Sequence, residues 1–227
     1  RAWRYLRLPP RRVTHMRDRH LWKLRAQLPD AEGSLDSARD RSLDAARDLS
    51  PLWWSAKDTA QVDGLWKRWR LDDAHRFVII APGARSHIKR WTSAGFARVA
   101  DRLMAELGAE VVFSGEPEEK PIVDEILGLM ARQAHTAVGL TTARQLGLLM
   151  RRAQLAITND SAALHLASAV GVPTVAIFGP TDARKYGPTA LYSRTIRRAL
   201  FCAPCERALC RFNHECMRFI SPDEVYR

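Results

Sequence analysis

Cysteine is absent from the first 201 residues of this 227-residue chain, which excludes a disulfide-stapled secreted scaffold. Long apolar runs are missing too. The longest, residues 77–81 and 172–178, fall far short of the roughly 20 residues that a membrane-spanning helix needs. Arg1 is not an initiator Met and no secretory pattern follows it, so the chain is expected to be a piece of a longer protein or a processed product. Neither an aromatic RNA-binding motif nor a zinc finger with a recognition helix occurs, and nucleic acid is not an expected partner. No solenoid-type repeat is found. Acid is scarce at the start: nine Lys/Arg stand against the single Asp18 in the first 28 residues.

What is present fits a folded protein, with 46% hydrophobic and 27% charged residues. The length suffices for one large domain, or a domain with an appendage. A net charge of +11, carried almost wholly by arginine, favours anionic partners: nucleotides, phosphorylated glycolipid or an anionic membrane surface. Genomic base composition also raises arginine, so charge alone assigns no function.

Residues 1–28 read as a Pro-Pro break followed by a basic amphipathic helix from about Val13, with Val13, Met16, His20, Leu21 and Leu24 near helical spacing. Residues 29–57 are loop-like, with a weak strand or aromatic patch at Leu52-Trp53-Trp54. A helix is predicted over 58–70. The whole of 1–74 is expected to be the remnant of an earlier domain and an interdomain linker. From His75 the pattern becomes regular. Strands are predicted at 76–81, 110–114, 136–138, 154–158 and 173–178. Between them fall helices at 91–107 (closed by Gly108), 117–132 (Pro in its first turn), 142–152 and 161–170. Strands alternating with helices of this length predict an α/β fold: a Rossmann-like parallel sheet over 75–200 with helices on both faces. Residues 201–227 form a cysteine-rich tail ending in a helix start at Ser221-Pro222-Asp223.

Three polar turns are expected at the carboxyl edge of that sheet, where ligands of such folds collect. The first runs from Pro82 to Trp91 and matches neither the P-loop nor the G-x-G-x-x-G spacing. Gly83 still allows close backbone approach, and Arg85, Lys89 and Arg90 supply charge for a diphosphate; the alternative is a solvated basic loop. The second, Gly115 to Glu119, offers carboxylates for ribose hydroxyls, or simply the acids of a helix N-terminus. The third is Thr158-Asn159-Asp160-Ser161. Ser161 and His165 share a helical face, and Asp160 and Ser161 are N-cap types. There the alternative is that Asp160 only caps and His165 is a core histidine.

Taken together, Pro82-Gly83-Ala84 ahead of Lys89-Arg90-Trp91, Ser114-Gly115-Glu116-Pro117 after the second strand, and the run from Thr158 to Asp182 resemble glycosyltransferase family 9. These are the ADP-heptose:lipopolysaccharide heptosyltransferases, of GT-B fold. The resemblance covers about residue 77 to the C-terminus, with a weaker echo at 15–28. It implies the donor-binding C-terminal half of an inverting transferase that needs no catalytic metal. By motif, Lys89 would sit on the donor diphosphate with Ser161 and His165 beside the phosphates. Asp160 would face the sugar hydroxyls and Glu119 the ribose, with the backbone near Thr141 around adenine. Ala84 and Arg85 stand where some members have threonines. The family's general base belongs to an N-terminal domain not represented here, so no catalytic residue is expected in this chain. The implied partners are an ADP-heptose-like nucleotide sugar, a lipid-linked saccharide acceptor, the missing N-terminal domain and an anionic surface at the cytoplasmic face of the inner membrane. The rival reading is a non-catalytic nucleotide-binding or assembly module with a structural metal tail.

In that tail, Cys202, Cys205, Cys210 and Cys216 read as a compact four-thiolate cluster suited to structural zinc, with His214 as a replacement ligand. Disulfides or free thiols are the other readings, and the spacing matches no ferredoxin pattern.

Overall fold

The computed structural model describes residues 54–227, Asp73 excepted. The predicted helix near Val13 and, of the predicted strand or aromatic patch at Leu52-Trp53-Trp54, the first two residues lie outside the described residues. In chain order the elements begin with α1 (Ala56–Arg68), β1 (Arg76–Ala81), α2 (Ser93–Leu107), β2 (Ala109–Phe113), α3 (Lys120–Leu129) and β3 (His135–Thr136). They continue with α4 (Ala143–Arg151), β4 (Leu155–Asn159), α5 (Ala162–Val170), β5 (Thr174–Phe178), α6 (Ala183–Tyr186), β6 (Arg194–Arg197), α7 (Glu215–Arg218) and α8 (Pro222–Tyr226).

The strands form one six-stranded sheet in the order β3-β2-β1-β4-β5-β6, parallel at every pairing. Alternation along each strand divides the apolar side chains between two faces. Val78 and Ile80 of β1, Val111 and Phe113 of β2 and Ile157 of β4 join one core with Phe96, Val99 and Leu103 of α2 and Ile126 of α3. Phe77, Ile79, Val112 and Ala156 point into the other, packed by Val62 of α1, Leu149 and Met150 of α4 and Ala167 of α5. Near-continuous apolar strands are what a sheet covered on both faces requires.

Segments expected to lie outside the sheet domain contribute to it. In the stretch read as linker, Val62 and Leu71 are buried in the second core, and Trp66 meets Phe77 edge-on with ring centroids 5.0 Å apart. From the tail, Met217, Ile220 and Val225 are buried in the first. Boundaries shift from the sequence reading by about one to three residues, as helix and strand ends commonly do, and two of the shifts have a visible form. Trp91 precedes α2 rather than opening it, because its ring is buried beside Gly95 and Phe96 and its indole N–H donates to Ile220 O at 3.0 Å. Before α3, residues Pro117–Glu119 form a separate 3-10 turn. Strand β6 and helix α6 were not anticipated: Arg-Thr-Ile-Arg buries only Ile196, too little for an apolar run to show.

Helix α1 is tied to α4 through Asp58. Ser55 caps α1 in a reciprocal capping box with Asp58, and Gln145 Nε2 donates to Asp58 Oδ1 at 3.3 Å. The Ser55 hydroxyl first, then the Ser55 N–H and the Arg144 charge, hold the Asp58 carboxyl below its ordinary value of 3.8. A depressed folded value contributes stability above the unfolded value and loses it as pH falls through the folded one. Asp58→Asn is therefore expected to be less stable than the parent at pH 7. The gap should narrow below about pH 4, as read from urea midpoints at the two pH values.

Candidate functional site

The strand order reverses direction between β1 and β4, since β2 and β3 lie to one side and β5 and β6 to the other. The loops after β1, β4 and β5 therefore meet at one rim, the position of ligand crevices in open parallel sheets.

The loop after β1 is held from beneath. Asn159, the last residue of β4 and fully buried, donates from Nδ2 to Pro82 O at 2.6 Å and accepts the Trp91 N–H at 3.1 Å on Oδ1. One amide thus clamps both ends of a ten-residue loop. Arg90 Nε donates across it to Ala84 O at 2.9 Å. His87–Lys89 make a 3-10 turn with buried Ile88 and Trp91 as anchors, and Lys89 rises between them.

Lys89 Nζ donates to Asp160 Oδ2 at 2.7 Å, and the Thr181 hydroxyl donates to the same oxygen at 2.6 Å. Asp160 is 6% exposed and the Lys89 side chain 30%. A carboxylate this buried needs a compensating cation and hydrogen bonds, and here three different loops supply the group and its partners. Asp160 does not cap α5. The N-cap is Ser161, whose side chain makes no capping bond, and its buried Oγ has no protein partner. The hydroxyls of Thr158 at the end of β4 and Ser114 just past β2 are buried and unpaired in the same way. Asp182 caps α6, and its carboxyl is lowered chiefly by the Arg184 side chain.

Glu119 also reaches this rim. Its Oε2 accepts the Glu116 N–H at 3.0 Å, so the local capping role is real. Its carboxylate also lies against Gly83, where a β-carbon would push it aside. Thr141 precedes α4 in a loop reached from the Glu119 turn through Gly139, which packs on Pro117. Arg85 and His165 are exposed, Arg85 in the first loop and His165 one turn into α5. Sequence reasoning missed Asn159 and Thr181; both stood inside motifs already singled out, and only their partners were invisible.

The four cysteines are free thiols lining one open cavity of about 400 Å³, with Ile88 and Pro180 also in its wall. Burial first, then the neighbouring thiols, push Cys216 up to about 11. Among the described residues, no three His, Cys, Asp or Glu side chains already stand together closely enough to hold a metal ion.

Residues 29–215 match the model of the family described as glycosyltransferase family 9 (heptosyltransferase). Lipopolysaccharide heptosyltransferase 3 of Escherichia coli is 38% identical over 125 residues, covering 52% of this chain and 36% of that protein. Lipooligosaccharide heptosyltransferase 2 of Campylobacter jejuni is 30% identical over 161 residues, covering 68% and 50%. The crystal structure of the glycosyl transferase family 9 protein from Veillonella parvula superposes with a TM-score of 0.77 at 25% identity, over 96% of this chain and 59% of that one. The chain thus spans about half, or less, of the curated relatives it matches.

The clamp through Asn159 is directly testable. Asn159→Ala leaves the Trp91 N–H and the Pro82 carbonyl buried without partners, which is expected to cost about 2–4 kcal/mol in urea unfolding. Retention of parental stability would show that the loop holds itself.

Proposed function

The chain belongs to glycosyltransferase family 9, and from that footing we propose that it is the donor half of an inverting heptosyltransferase, binding ADP-heptose or a close nucleotide sugar. The observation that carries this reading is the Lys89–Asp160–Thr181 network at the switch point of the sheet. An ammonium has three donors. Asp160 takes one from Lys89, leaving two for diphosphate oxygens. On Asp160 the two donors converge on Oδ2, leaving Oδ1 to accept a sugar hydroxyl. The unpaired Ser161 hydroxyl beside it is a ready donor to phosphate, with His165 further along the same helix face. Glu119 against Gly83 suits the ribose, and the backbone at Thr141 the adenine. Arg85 adds charge where threonines stand in some relatives.

Inverting transfer also needs a base on the acceptor hydroxyl, opposite the departing diphosphate. Asp160 has its charge committed to Lys89 and Thr181, so it binds rather than abstracts. The base belongs to the complementary half that the curated relatives' greater length provides room for, together with a lipid-linked saccharide acceptor. The relatives are named as transferases acting on lipopolysaccharide or lipooligosaccharide, which favours an enzyme over a non-catalytic module. Among the described residues no helix is long and apolar enough to cross a membrane. The excess of arginine suits peripheral attachment to anionic lipid at the cytoplasmic face.

Calorimetry of the 227-residue chain is expected to show ADP binding in preference to UDP and GDP. Lys89→Ala should weaken ADP by about 1.5–3 kcal/mol, the range for a charge-assisted hydrogen bond. Equal affinity for all three nucleotides, or none for any, would overturn the donor assignment.

A further inference from the structure

We propose that the turns between residues 201 and 213 are the membrane-contacting face of this protein. Phe201, Leu209 and Phe212 enter the headgroup boundary of an anionic bilayer, and Arg207 and Arg211 pair with its lipid phosphates. The peripheral attachment read above from charge alone thereby acquires a place, and the choice of lipid as partner rests on that reading.

Of the nine large apolar side chains exposed among the described residues, six lie between 191 and 219. The other three, Leu107, Leu129 and Leu140, are spread over the ends of α2 and α3 and the loop before α4. Single exposed leucines are ordinary, whereas gathered ones mark a contact surface. Phe201 is 91% exposed and Leu209 71%, and Phe201 meets Phe212 edge-on with ring centroids 5.2 Å apart. All three line the open cavity of the tail beside Arg207 and Arg211. They stand on turns that belong to no helix or strand, so a bilayer can take them without disturbing the sheet.

Charge around these rings selects an anionic lipid surface. Residues 194–219 hold six arginines against two acids. Glu206 is taken by Lys185 at 2.7 Å, and Glu215 accepts the Asn213 N–H at 3.0 Å. Arg207 and Arg211 are exposed, and the ion pairs among the described residues involve neither. A bilayer offers phosphates at the level of the guanidinium groups and hydrocarbon just beneath for the rings. Each arginine near such a surface is worth about fivefold in partitioning.

This face adjoins the donor rim. Ile88 and Pro180 stand in the wall of the same cavity, next in sequence to Lys89 and Thr181, the two partners of Asp160. The Cys205 and Glu206 N–H groups both donate to Pro180 O, at 2.9 and 2.8 Å, which ties the turns to the rim. A bilayer met here lies beside the donor pocket, within reach of a saccharide standing off a lipid.

The test uses the full chain and vesicles of equal parts phosphatidylcholine and phosphatidylglycerol, read by co-sedimentation. Binding is expected there, and should be weaker by about tenfold or more on pure phosphatidylcholine or at high salt. Phe201→Ser with Phe212→Ser, and separately Arg207→Ser with Arg211→Ser, should each weaken it by about tenfold or more. Both double variants should keep the parental far-ultraviolet circular dichroism and urea midpoint. Phe201→Trp should add a fluorophore that brominated acyl chains quench more strongly than the parental tryptophans. Vesicle binding retained in full by both double variants would overturn this face and leave peripheral attachment standing elsewhere on the chain. No binding to the anionic vesicles would overturn both. Self-association abolished by Phe201→Ser, in place of vesicle binding, would assign the rings to a second copy of the chain and overturn the lipid assignment. No arm of the test involves nucleotide, so each outcome leaves the donor assignment to its own measurement.

Discussion

A carboxylate that is 6% exposed cannot stand alone, and the placement of Asp160 organises the rim of this sheet. Removing one partner from a buried charge pair costs about 3–5 kcal/mol, because the remaining charge is left desolvated. Asp160 therefore requires Lys89 from the loop after β1 and Thr181 from the loop after β5 to be where they are. The same requirement brings a cation, a carboxylate and a hydroxyl together at the switch point of the sheet, where ligands of open parallel sheets collect.

Beneath that network several supports are neutral. Asn159 clamps the first loop through two hydrogen bonds to backbone. Trp91 ties the loop to Ile220 near the far end of the chain. Cys216 and Met217 fit against Gly179 because no side chain intervenes. The tail belongs to this support as much as the strands do, since it closes the first core and braces the loop before Thr181.

Much of this was legible along the chain. Apolar runs such as Phe-Val-Ile-Ile and the helical spacing between them gave the alternation of strands and helices, and the polar residues after each strand marked the rim. The acids of the second turn were ambiguous, and Glu119 turns out to serve its local cap while also lying on Gly83. Strand β6 stayed hidden because an edge strand buries one side chain in four. Trp91 looked like a helix residue by periodicity, but its partner Ile220 lies 129 positions away.

The sequence by itself determined the fold class and the positions of the polar turns, because both follow from local periodicity and from the residues that can turn a chain. Only the tertiary structure decided that Asp160 pairs with Lys89 instead of capping its helix, that Thr181 shares its oxygen, and that the cysteine tail leans on the same loop. Those facts depend on which groups become buried together. Desolvation is a property of the assembled molecule and leaves no periodic trace in the chain.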